Sequence, residues 1–182
     1  MHIARYPLVE AGTALLAALI VVVKGPDQDA VLPLVLLALL VPVTLIDLER
    51  RIIPNRITGP GAVLAVVLGL VLDPSGEPER LIAGLAAAGF LLLALLAYPG
   101  GMGRGDAKLA GMLGLFLGRE VGVAMFAALV LGTVVGTGVM VRKGVAAGRK
   151  TKVPFGPFLA LGGLLGMLAG GPVIAWYLAT FA

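Results

Sequence analysis

Two acids in this chain sit where a carboxylate is costly. Asp106 lies in Gly101-Met102-Gly103-Arg104-Gly105-Asp106-Ala107-Lys108, between the apolar runs 81–98 and 109–117. Asp47 ends another apolar run, 30–46. A carboxylate at the point where a chain enters hydrocarbon is a functional candidate by default. Gly103 and Gly105 remove side chains just before Asp106, so that backbone or substrate can approach it closely. Two carboxyls about 3 Å apart share a proton, because both cannot ionise easily. The ionised one then takes a proton from water while the other donates to a scissile carbonyl. The chemistry is that of an aspartic protease, provided the fold brings residues 47 and 106 together across 59 positions.

The composition says what must position them. Of 182 residues, 59% are hydrophobic and 13% charged, with mean hydropathy +1.06. A soluble domain would carry about a quarter charged residues. Apolar runs of spanning length recur from end to end, which predicts an all-α, polytopic membrane bundle. With no cysteine, the chain has no disulfide, thiolate metal site or cysteine nucleophile. Its one histidine, His2, builds no metal site alone, so no metal is expected. The net charge of +4 marks a membrane face, not a nucleic-acid partner. The first apolar run lacks a small-residue cleavage site before Lys24 and reads as a retained span.

About seven spans are expected, some short or broken: 8–23, 30–46, 57–72, 81–98, 107–118, 121–141 and 154–169. The fifth is too short to cross a bilayer at about 1.5 Å per residue. It must be buried among other helices, with Gly111, Gly114 and Gly118 permitting close contact. Gly170-Gly171-Pro172 is expected to break the seventh, leaving a tail whose Trp176 and Tyr177 suit an interfacial belt. Residues 1–182 read as a single membrane-embedded unit.

Charge sets the orientation. With the N-terminus cytoplasmic, 11 of the 14 basic residues fall on the inner side. The outer loops keep Lys24, Arg80 and Arg119 beside six acids. That asymmetry obeys the positive-inside rule. Asp47 then closes an inward span and Asp106 opens an outward one, which places both acids at one depth near the cytoplasmic face.

At these residues the chain resembles the type IV prepilin peptidases, leader peptidases of the GxGD aspartyl protease class. The resemblance rests on Arg5-Tyr6-Pro7-Leu8-Val9-Glu10, on residues 47–58 (DLERRIIPNRIT), on Gly101–Leu109 with its GxGD, and on Pro154-Phe155-Gly156-Pro157-Phe158. The four motifs stand in family order from Arg5 to about Leu178. The resemblance implies that Asp47 and Asp106 are the catalytic pair. It implies a prepilin or pseudopilin substrate, cut at the cytoplasmic face after a glycine that ends a basic leader. It also implies a multi-pass protein of a prokaryotic inner membrane. Many bacterial relatives also methylate the new N-terminus with S-adenosylmethionine, and carry a further N-terminal helix and a loop often bearing a four-cysteine metal site. This chain has no cysteine-rich N-terminal domain and starts where that core starts, so the expectation is cleavage without efficient methylation and no cofactor for proteolysis.

The supporting residues admit more than one reading. Asp106 also suits the N-cap of the fifth helix, where a carboxylate meets free N–H groups. Gly103, Gly105, Pro154, Phe155, Gly156 and Pro157 shape the site in one reading and merely start helices in the other. Lys108 and Arg104 either tune the pair or balance charge. Glu10 and Glu49 either attract the basic leader or pair with a loop arginine. Asn55 after Pro54 turns the chain into the third span. The basic stretch 142–152 meets anionic lipid headgroups. Two other functions use such acids or none: a small proton- or cation-coupled transporter, and a non-enzymatic scaffold of a pilus or secretion machine. The oligomeric state is not legible here.

Overall fold

A computed structural model describes residues 6–97, 102–144 and 153–181. Among the described residues the apolar runs form seven α-helices: α1 (Tyr6–Lys24), α2 (Val31–Arg50), α3 (Asn55–Leu72), α4 (Glu77–Ala97), α5 (Arg104–Leu117), α6 (Val121–Lys143) and α7 (Gly156–Phe181). Short 3-10 turns at Gln28–Ala30, Pro74–Gly76 and Gly118–Glu120 join several of them, and no strand occurs among the described residues. Gly101, the N-terminal His2 and Arg5, and the basic residues 149, 150 and 152 lie outside the described residues.

Among the described residues six stretches are long and apolar enough to cross a membrane, and α5, the turn and α6 together count as one of them, Arg104–Lys143. The molecule is an all-helical polytopic bundle. By itself α5 has 14 residues, about 21 Å at the usual rise, against about 30 Å of hydrocarbon. It is instead the axis of the bundle. Leu109, Met112 and Leu113 are almost fully buried, in one core with Leu36 and Leu40 of α2 and Leu159 and Met167 of α7.

Lipid tails are as apolar as leucine, so these helices hold together by close packing of small residues. Against α4, a Cβ on Gly114 would lie 2.6 Å from the Ala83 carbonyl oxygen, and one on Gly111 would lie 3.1 Å from the Ala88 Cβ. The seam between α6 and α7 works alike, since a Cβ on Gly166 would lie 3.1 Å from the Ala124 Cβ. Large apolar side chains such as Leu85, Leu93 and Phe126 face outward, where a bilayer would meet them.

The expected break in the last span does not occur. Helix α7 runs unbroken from Gly156 to Phe181 with Pro172 inside it. A membrane helix tolerates an internal proline because neighbours compensate the lost bond. The two glycines before it lie against the Glu120 side chain, leaving Pro172 exposed on the outer face. Trp176 and Tyr177 are exposed near the helix end, where Trp176 meets Phe181 edge-on and Tyr177 lies tilted against it.

Candidate functional site

Asp47 lies in the last turn of α2 and is only 4% exposed. Its carbonyl accepts the N–H of Arg51 at 2.8 Å, and Arg51 takes a left-handed conformation at φ 55° that ends the helix. Its carboxylate faces the start of α7, where the Gly156 N–H donates to Oδ2 at 3.0 Å. Loss of water around such a group costs several kcal/mol unless hydrogen bonds replace it, and this donor is one replacement.

Asp106 is the third residue of α5 and is 7% exposed. Contrary to the capping expectation it is not the N-cap; Gly103 is. Glycine has no side-chain acceptor, so the helix start is closed from inside. Asp106 donates its N–H to the Gly103 carbonyl at 3.1 Å, and its Oδ2 accepts the Gly103 N–H at 2.8 Å. The two acids thus share a pattern, each with Oδ2 held by a main-chain N–H. Ile53, in the loop that follows α2, lies on Gly105 next to Asp106, and Gly156 at the start of α7 lies on Asp47.

The surrounding residues fix this geometry. A Cβ on Gly105 would lie 2.9 Å from the Ile53 Cβ, so the glycine lets the loop between α2 and α3 lie across the start of α5. Lys108 Nζ donates to Asn55 Oδ1 at 2.9 Å. Asn55 is the first residue of α3, with Pro54 as N-cap, and its role as the partner of Lys108 was not legible from a turn signal. Pro154 and Phe155 precede α7, and the Phe155 carbonyl accepts the N–H groups of Phe158 and Leu159. The Phe155 ring lies 6.2 Å from that of Phe158 and covers Gly132 of α6. Pro157 stands in the first turn of α7, where its missing N–H costs nothing. Glu10 and Glu49 are exposed, and neither forms an ion pair among the described residues. The structure does not bring them into hydrogen-bond contact with the two aspartates.

A second polar cluster lies at the opposite ends of α3 and α5. Arg80, 8% exposed, donates to Glu77 Oε2 and Asp73 Oδ2, each at 3.0 Å, and to the Gly69 carbonyl at 3.3 Å. It staples the end of α3 to the start of α4, and borders a cavity of about 240 Å³ with Asp73, Glu79 and Arg119. Its charges are largely paired with one another, which makes the cluster structural. Placing Arg80 in an outer loop beside acids missed it; an arginine three residues after Glu77 was the available signal.

No group of three His, Cys, Asp or Glu side chains among the described residues is placed to hold a metal ion. A Cβ at Gly105 or Gly156 would meet Ile53 or Asp47, and no strand leads into a glycine-rich loop among the described residues.

Comparison with known proteins agrees with the motifs. Residues 34–137 match the type IV leader peptidase family. The chain is 34% identical to a prepilin leader peptidase/N-methyltransferase of Aeromonas salmonicida, over 97% of this chain and 62% of that protein. It is 33% identical to the protein of the same name from Aeromonas hydrophila, over 98% and 63%. With that of Bacillus subtilis the identity is 32%, over 95% and 69%. The chain therefore spans less than two thirds of the length of the Aeromonas relatives. No solved structure matches. On its matched residues and its helical architecture, this multi-pass membrane protein belongs to the type IV leader peptidase family.

Proposed function

We propose that this chain is an integral membrane aspartic endopeptidase that removes the basic leader of type IV prepilins or pseudopilins. Asp47 and Asp106 are the catalytic pair in this reading. The observation behind it is their matched environment: two buried carboxylates on separate helices, each with one oxygen on a main-chain N–H. That leaves Oδ1 of each for the chemistry. Two facing carboxyls share one proton. The ionised member takes a proton from water, whose oxygen adds to the scissile carbonyl, while the protonated member donates to the carbonyl oxygen. Breakdown of the tetrahedral adduct returns a proton to the leaving amine and breaks the C–N bond.

In the same reading the N-terminus is cytoplasmic, the membrane is the prokaryotic inner membrane, and the exposed bases Arg50, Arg51, Arg56 and Arg104 face anionic headgroups at the level of the pair. Lys108, Gly103, Gly105 and residues 154–157 hold the pair, and Glu10 and Glu49 are offered to the basic leader. Proteolysis needs no cofactor, and the expectation is cleavage without efficient methyl transfer from S-adenosylmethionine. Co-expression with a prepilin, followed on a gel for loss of the leader, tests the proposal. A prepilin that keeps its full leader in the presence of inserted protein would refute it.

A further inference from the structure

Helix α7 begins with an N–H that its own turn does not use. Phe158 and Leu159 both donate to the Phe155 carbonyl, at 3.0 and 3.1 Å, and Pro157 has no N–H to give. Among the first residues of α7, whose N–H groups lack a partner in the preceding turn, that of Gly156 is free to reach elsewhere. It points at Asp47 Oδ2, 109 positions away in sequence, inside the protein. The carboxylate therefore meets both a donor and the positive end of a 26-residue helix.

The residue type at 156 also needs a reason. Its φ is not positive, so no left-handed turn demands glycine, and glycine in a helix is weaker than alanine. Space supplies the reason. A Cβ at this position would lie 2.5 Å from Asp47 Oδ2 and 3.0 Å from Cγ. Those atoms end a short side chain whose neighbours are packed, so the carboxylate itself would have to turn away.

We infer that Gly156 is a positioning residue for the reaction: its N–H fixes the Asp47 carboxylate, and its missing Cβ is the space that carboxylate fills. The inference rests on the reading of Asp47 as one of the catalytic pair. It makes the first turn of α7 a gauge for where the Oδ1 of Asp47 is presented to Asp106.

Gly156→Ala keeps the N–H and adds only the Cβ. Cleavage kinetics and thermal midpoints in detergent are measured for Gly156→Ala, Asp47→Ala, the double variant and Gly136→Ala, a control on α6 with open space around it. Gly156→Ala is expected to lower kcat about 100-fold, as misplacement by about 1 Å does, with KM within about twofold. Its loss in midpoint should vanish in the Asp47→Ala background, where the atoms it strikes are gone. Wild-type kcat in Gly156→Ala overturns the inference, as does a loss carried wholly by KM or an equal loss of midpoint in both backgrounds. A wild-type chain that cleaves no prepilin instead overturns the proposed function, and the midpoints alone then decide whether Gly156 holds Asp47.

Discussion

Lys108, near the start of α5, donates from Nζ to Oδ1 of Asn55, the first residue of α3, at 2.9 Å across 53 positions. With Ile53 seated on Gly105, it latches the loop between α2 and α3 over the start of α5. Both carboxylates lie beside that latch, one on each flanking helix.

Both partners are exposed, so the bond is worth only about 1 kcal/mol, or about fivefold in rate if all of it reaches the transition state. Lys108→Ala and Asn55→Ala should each reduce kcat/KM by less than about tenfold. Because they break the same contact, the double variant should be little worse than either one. Losses that multiply would show that Lys108 acts elsewhere.

How far the site could be read from sequence follows the range of each interaction. Asp47 and Asp106 stood out because a charge at the edge of an apolar run is visible locally, and alternating spans put them at one level. The tether from Gly156 to Asp47 leaves no local trace, since its two ends are 109 positions apart and one of them is a backbone N–H. Asp106 suits an N-cap by residue type, but Gly103 takes that position and Asp106, three residues on, reaches back to its N–H. Pro172 was expected to break a helix, as proline does in water, but packing in a membrane protein overrode that local preference. The burial of Arg80 depended on Gly69 leaving room for Glu77, a fit between two helices that no single helix records.

Asp47→Asn and Asp106→Asn should each abolish leader cleavage while leaving an inserted, folded protein. A neutral amide keeps the shape but can neither share the proton nor accept one from water. Residues that act as one unit are not additive, so the double variant should be no worse than either single one. Substantial cleavage by Asp106→Asn, measured by mass spectrometry of the pilin, would remove it from the pair.

The far end of the bundle should fail differently. Glu77 is 2% exposed and its Oε1 has no hydrogen-bond partner among the described residues. Arg80→Leu would strip the charge that faces its Oε2, and breaking a buried pair from one side costs about 3–5 kcal/mol. The melting midpoint should fall sharply, and Glu77→Leu in the same chain should restore much of it. An Arg80→Leu protein as stable as wild type would mean that the staple contributes little.

Asp73 gives that staple a pH dependence. The Ser75 hydroxyl and then Arg80, with the Gly76 N–H, hold its carboxyl below the ordinary range. A group with a depressed folded-state pKa stabilises fully above its unfolded value, about 3.9, and loses that contribution as pH falls through the folded value. Acidification below about pH 4 should therefore lower the midpoint of wild type more steeply than that of Asp73→Asn. Parallel acid limbs for the two proteins would rule this contribution out.

Orientation is tested where the helices end. The start of α2 and the end of α6 lie on opposite faces if the N-terminus is cytoplasmic, and the chain has no cysteine to compete for label. Gly76 is unsuitable for a probe, because a side chain there would collide with Asp73 and Arg80. Gln28 and Lys143 are exposed instead. An impermeant thiol reagent on intact cells should label Gln28→Cys and spare Lys143→Cys, with both labelled after lysis. That pattern puts α2's last turn, α5's first turn and the start of α7 on the cytoplasmic side, where a basic leader waits. The reverse pattern would place Asp47 and Asp106 on the outer face and leave them unable to meet a leader held in the cytoplasm.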